Sequence, residues 1–331
     1  MTRRTTWVAA ALTIAACAAE KDPAQQYRDA MPKAAAVQIG VPKGEGVPGA
    51  LTAGAVAEGR SPALGQSPSY GSEYAAMSYW TAVTVNAGVW WTLELVKLIT
   101  SFPPSGPCDD HSCTWGPWLG DNGLNYYKLH VTRANVAYDW TLSGQSAAAG
   151  TQPWTDLLVG HAVPGRDANH GSGSFEADYD HFDYLQHATT TWKQDYGTLA
   201  VTYDNDAGLV IQATVVGGHN DDPSRLGNVM NAAYLFDQTG TDGDLQLAFA
   251  DVTAGDQATL RTRWKRHDGA GRGDVHYVPV GGGGGVNASE CWNGQDATIP
   301  WQEVYDTKIS FGAEANCVFA PAAYATIQLP Q

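Results

Sequence analysis

Gly71–Pro104 reads GSEYAAMSYWTAVTVNAGVWWTLELVKLITSFPP, and the fold expected for the whole chain turns on this stretch. Ser72 is an N-cap residue type, and Glu73 puts a negative charge in the first turn, where the helix dipole favours it. Pro103 and Pro104 end the helix, because neither continues its hydrogen-bond ladder. Between them Met77, Trp80, Val83, Ala87, Trp91, Leu95 and Leu98 recur three or four residues apart. Val85, Val89, Leu93, Val96 and Ile99 cover much of the remaining surface. A helix apolar nearly all round must be buried nearly all round. The rival is a membrane span. Ser78, Thr81, Thr84, Asn86 and Thr92 interrupt the run, and Glu94 and Lys97 lie deep in its second half. That polarity argues against a lipid-facing span and for a core helix.

Downstream the pattern changes period. Pro104–Asp121 reads as a loop carrying Cys108 and Cys113. From Leu124 apolar and polar residues alternate: Tyr127, Leu129 and Val131, then, after a turn near Ala134, Val136, Tyr138, Trp140 and Leu142. Further strands are expected at Trp154–Val163 and Gly173–Tyr179, and at intervals to Trp264. Turns rich in Asp, Asn and Gly separate them at Asp204–Gly208, Thr239–Gly243, Thr253–Asp256 and Asp268–Gly273. The count is about ten strands in an antiparallel meander. A meander this long twists and curls. The expected fold is mainly β: a long curved antiparallel meander, a half-barrel or open barrel, packed around one long N-terminal helix.

Upstream, Met1–Arg4 is a short basic segment and Thr5–Ala16 an apolar run of about a dozen residues, too short to span a bilayer. It ends in Ile14-Ala15-Ala16-Cys17, which resembles the bacterial lipobox. The resemblance implies a signal peptide at 1–16, acylation of Cys17, and an exported protein anchored by lipid to the cell envelope. Several acyl chains hold stably where one does not. Ala18 in place of Asp points, by the enteric sorting rule, to the outer membrane. Residues 17–70 are rich in Ala, Gly, Pro, Gln and Ser, and are expected to form a lipid-anchored flexible tether, with room for short helical turns around Ala24–Ala36. Residues 71–331 are expected to form the folded domain.

With Cys17 lipidated, Cys108, Cys113, Cys291 and Cys317 remain, an even number that reads as two disulfides in an exported protein. Of three connectivities we favour Cys108–Cys113 with Cys291–Cys317. The second closes the longer loop and contributes roughly 3 kcal/mol in the chain-entropy model. A zinc site at Cys108, His111 and Cys113 is the alternative.

The formal charge is −15, and about −17 once Arg3 and Arg4 leave with the signal peptide. This acidity argues against nucleic acid and against anionic headgroups as partners. His161, His170, His181, His187 and His219, with Asp178, Asp180 and Asp183, lack the spacings of a metal motif, and no metal or other cofactor is expected. Asp237–Asp244 departs from a calcium loop at Thr239, Thr241 and Asp242. Arg272-Gly273-Asp274 reads as part of a hairpin turn. No nucleophile elbow or phosphate-binding glycine loop occurs, so the expectation is a non-enzyme.

Segments SFPPS (Ser101–Ser105), TWGPW (Thr114–Trp118), YDWTLSG (Tyr138–Gly144), Glu290-Cys291-Trp292 and Cys317-Val318-Phe319 resemble envelope lipoproteins of gliding, predatory bacteria. That likeness implies no activity. The layout also resembles the half-barrel of periplasmic lipoprotein carriers. Two functions are thus in view: a non-enzymatic binding or structural module whose partner is an envelope protein, or a carrier or sensor of apolar ligands such as lipid. The carrier needs a cavity, and Trp80, Trp90 and Trp91 are its candidate lining.

Overall fold

The computed structural model describes residues 23–33, 37, 39, 72–120, 123–147, 153–167, 170–186, 197–219, 227–281, 283–294, 299–303 and 310–330. Helices α1 (Pro23–Ala30) and α2 (Glu73–Ser101) precede strands β1 (Ser112–Leu119), β2 (Asn125–Ala134), β3 (Ala137–Ser146), β4 (Thr155–Pro164) and β5 (Gly171–Asp178). Helix α3 (Tyr179–Gln186) leads to β6 (Thr198–Asp204), β7 (Leu209–His219), β8 (Val229–Gln238), β9 (Asp242–Asp251) and β10 (Asp256–Lys265). The remainder is β11 (Gly271–Val278), β12 (Val286–Trp292), β13 (Trp301–Glu303), β14 (Ser310–Gly312) and a 3-10 turn at Glu314–Asn316.

The fourteen strands of the described residues form one antiparallel sheet whose spatial order is the sequence order, so strands consecutive in the chain are neighbours in the sheet. The sheet is open, and both edges are blunted. β1 is irregular between Trp115 and Trp118, around Gly116 and Pro117, and β14 is three residues long. Bulges, prolines and short strands discourage pairing with other chains.

Alternation gives the sheet two unlike faces. The inner face is apolar: Trp115, Leu129, Trp140, Leu158, Phe175, Val201, Ile211, Phe236 and Leu245 are buried in a cluster that includes Tyr27, Ala82, Val89, Leu93 and Val96. Four large rings on this face lie on glycines directly opposite in the neighbouring strand. The pairs are Trp140 with Gly160, Tyr203 with Gly173, Trp264 with Gly243 and Trp292 with Gly271. A methyl group added at Gly160 would stand 2.1 Å from the Trp140 ring, and one at Gly243 2.3 Å from that of Trp264. The missing side chain is therefore the space the indole fills.

Ser72 caps α2, its Oγ accepting from Ala75 N–H at 3.0 Å. The same hydroxyl donates to the buried Glu290 carboxylate of β12, and the Tyr74 side chain lies against Gly273 of β11. Among the described residues no helix is long and apolar enough to cross a membrane.

Several expectations need correction. The sheet has fourteen strands rather than about ten, because β1 lies within the presumed loop at 104–121 and β12–β14 were not resolved from the glycine-rich C-terminal region. Arg272 and Asp274 lie within β11, fully buried, so the turn before it ends at Ala270. The stretch 17–70 is not tether throughout. Tyr27, Val37 and Ile39 are buried, and Tyr27 Oη donates to Asp109 O at 2.9 Å. Arg28 donates to Thr100 O and Phe102 O at the C-terminal end of α2, where carbonyls lack helical partners. The Asn86 amide pairs both ways with the Ile39 backbone, at 2.7 and 2.9 Å. The folded body thus begins before residue 71. Average composition masked a few well-placed apolar residues.

Candidate functional site

Among the described residues the outer face offers the best-defined site, and register builds it. In β9–β12 four successive cross-strand rungs share that face. The first holds Asp244, Arg263, Arg272 and Cys291, the second Gln246, Arg261, Asp274 and Ser289. The third holds Ala248, Thr259, His276 and Asn287, and the fourth Ala250, Gln257 and Val278. Two charged rungs thus give way to two neutral ones.

The charged rungs are densely bonded, although Arg263 Nε and Arg272 Nη2 are buried without a hydrogen-bond partner among the described residues. Arg272, with no exposed surface, donates through Nε to Asp274 Oδ1 at 2.7 Å and through Nη1 to Glu314 at 2.6 Å. Its guanidinium lies 4.9 Å from the Trp301 ring centroid. Asp274 also accepts from Ser289 Oγ at 2.7 Å and from Arg263 at 3.2 Å. Opposed Arg263 and Arg272 would repel, and the shared Asp274 offsets this. Burial pushes the Arg263 pKa below its ordinary value, while Asp274 opposes the shift. Hydrogen bonding to Asp244 raises that of Arg261.

Residues 317–330 run across this face as an extended strap, held by the same groups. The Cys291–Cys317 disulfide ties its start, with Cα atoms 5.7 Å apart. Arg272 donates to Phe319 O and Arg263 to Pro321 O. Asp274 accepts from Ala323 N–H at 3.0 Å, and Gln246 Oε1 from Thr326 N–H at 2.8 Å. Beyond these pins the strap forms a wall over the neutral rungs and leaves a groove of about 520 Å³. Its floor is Ala248, Gln257, Thr259, His276, Val278 and Asn287; its wall includes Tyr324, Ile327, Gln328 and Leu329. His276 Nδ1 and Asn287 Oδ1 are 2.7 Å apart, so an imidazole N–H donating there leaves the Asn287 NH2 facing outward.

The residues singled out in the sequence fall elsewhere. Trp80, Trp90 and Trp91 belong to α2, but their side chains lie outside the described residues, as do Cys17 and the whole lipobox. Cys108 bonds Cys113 and Cys291 bonds Cys317, the favoured pairing, so the zinc ligand set is not available. His161 pairs with Asp139 at 2.7 Å, His170 with Asp167 at 2.7 Å and His181 with Asp178 at 3.1 Å. These are separate pairs; His187 and the His219 and Asp183 side chains lie outside the described residues. Among the described residues no group of three metal-ligating side chains occurs. Asp242 and Asp244 of the calcium-like loop engage Lys265 and Arg261.

Sequence reasoning missed the groove because its residues are spread over four strands and the C-terminus. One signal was present: five of the chain's nineteen basic residues, Arg261, Arg263, Lys265, Arg266 and Arg272, fall within twelve positions. No protein-family model, curated protein or solved structure matches the chain.

Proposed function

We propose that this chain is a cell-envelope lipoprotein, anchored through acylated Cys17 and serving as a non-enzymatic binding or structural module. In this reading the sheet curls into a half-barrel or open barrel around α2, and residues between Cys17 and α1 hold the body off the membrane. The observation that carries it is the packing of the inner face. Ala75, Ala82, Val89, Leu93, Val96 and Ile99 of α2 join the strand residues in one buried apolar cluster. Packing of that kind supports a filled interior more than a lipid-sized cavity. It leaves the outer face as the surface for recognition.

Native mass spectrometry of the full chain extracted from the envelope tests this. The expected species carries acyl groups on Cys17, two disulfides and no other apolar molecule. A co-purifying lipid lost on Trp91→Ala would favour the carrier reading instead. An unacylated chain recovered from the cytosol would overturn the envelope assignment.

A further inference from the structure

We infer that the groove between the neutral rungs and the C-terminal strap binds an uncharged saccharide chain. This names the ligand class for the binding module above and rests on that reading.

Charge is the first argument. Among the described residues no Lys, Arg, Asp or Glu lines the groove, although the two adjoining rungs of the same strands are dense with them. The charged side chains there are turned to one another and to the strap, not to the groove. A phosphate, a nucleic acid or an anionic headgroup would meet no lysine or arginine. A cationic ligand would meet no carboxylate.

Donor chemistry is the second. Gln257, Asn287 and Gln328 present amides, Thr259 a hydroxyl and Tyr324 a phenol. Amides and hydroxyls both donate and accept, as a polyhydroxyl ligand requires. They alternate with apolar ground at Ala248, Val278 and Ile327, and Tyr324 adds a ring with a polar tip. Sugars offer the matching alternation of hydroxyl edges and C–H faces. A purely apolar ligand would leave these polar groups without partners and would gain little.

Shape is the third. The volume, about 520 Å³, falls within the small-ligand range of roughly 300–1,000 Å³. The groove is partly open to solvent rather than enclosed, so a bound unit can continue into a longer chain. Its wall is set in place by covalent and buried contacts, namely the Cys291–Cys317 bond and the Asp274 and Gln246 hydrogen bonds. A wall held in this way is preorganised, so little ordering opposes binding.

The test is isothermal titration of the full-length chain with chitohexaose, cellohexaose and maltoheptaose, and with an uncharged Ala/Thr peptide as the competing class. At least one oligosaccharide should bind with Kd below about 1 mM. Its Kd should change less than about twofold between low and high salt, because no ion pairs form. Tyr324→Ala and Asn287→Ala should each weaken it about tenfold, with near-ultraviolet dichroism unchanged. Thr202→Ala, on the outer face of β6, should leave it unaltered. Binding of none of the three, or of the peptide alone, overturns the inference, as does a Kd indifferent to both groove variants. A lipidated envelope chain that binds no saccharide removes this inference alone. A cytosolic, unacylated chain removes the broader reading, whatever the titration gives.

Discussion

The outer face of β2–β8 and that of β9–β12 belong to one sheet with one register, yet they end in different surroundings. On β1–β4 exposed outward polar groups pair across neighbouring strands: Thr114 with His130 and Asp139 with His161. On β9–β12 the outward residues lie beneath the strap, and Arg272, Asp274 and Ser289 are buried. The difference teaches that face alternation does not by itself settle burial. A chain end that folds back turns a solvent face into a second interior, and that interior is polar because the strap brings backbone groups that need partners.

The largest contrast should come from removing one partner of a buried ion pair. Arg272→Ala leaves buried Asp274 with Arg263 as its remaining cationic partner and empties the buried space of the guanidinium, and a loss of about 3–5 kcal/mol is expected in urea unfolding. His161→Ala, which ends an exposed pair with Asp139, should cost about 0.5 kcal/mol or less. Equal costs at the two sites would break the comparison.

Next is the covalent tie. Cys317→Ala opens a loop of 26 residues and should lose roughly 3 kcal/mol, with protection of strap amides in hydrogen exchange lost as well. Cys113→Ala opens a loop of five and should cost less, about 2 kcal/mol, leaving the strap protected. Strap protection that survives Cys317→Ala would show that the buried ion pairs suffice.

The inner face supplies the control, because both halves use the same device there. Gly160→Ala under Trp140 and Gly243→Ala under Trp264 should each destabilise by about 1–3 kcal/mol, to similar extents. A marked difference between them would place the asymmetry on the inner face too.

The smallest effect is one of pH. Burial raises the pKa of Tyr203 well above its ordinary value, and those of Tyr179 and Tyr234 move in the same direction. The folded state therefore holds these protons more tightly than the unfolded one. That stability is complete below the unfolded value of about 10 and is lost as pH rises above it. Urea midpoints should fall between about pH 9.5 and 11, and Tyr203→Phe should lessen the fall. An unchanged slope in that variant would remove Tyr203 from the account.

Legibility in the sequence followed interaction range. The alternating runs from Tyr127 to Trp264 marked a β-meander because each strand's alternation is local and each turn carries its own Asp, Asn or Gly. The disulfide pairing was readable for a related reason: Cys108 and Cys113 are close in sequence, which leaves Cys291 and Cys317 for each other. β1 was missed because Gly116 and Pro117 interrupt its alternation; helical turns around Ala24–Ala36 were legible, but not the burial of Tyr27 and Ile39, which sit in a stretch whose average is polar. Arg272-Gly273-Asp274 misled for a physical reason. Charged residues beside glycines usually mark an exposed turn, and only a covering segment some fifty residues further on makes a buried strand of them.

The amino-acid sequence by itself determined the strand periodicity, the turn positions and the pool of cysteines, all of which arise from neighbours along the chain. Tertiary structure alone decided which rung faces which. It set Gly160 beneath Trp140, Arg272 beside Asp274 and Glu314, and the C-terminal strap above His276 and Asn287. Register and chain return are long-range choices, made by summed packing and hydrogen bonding over the whole sheet, and no local segment encodes them.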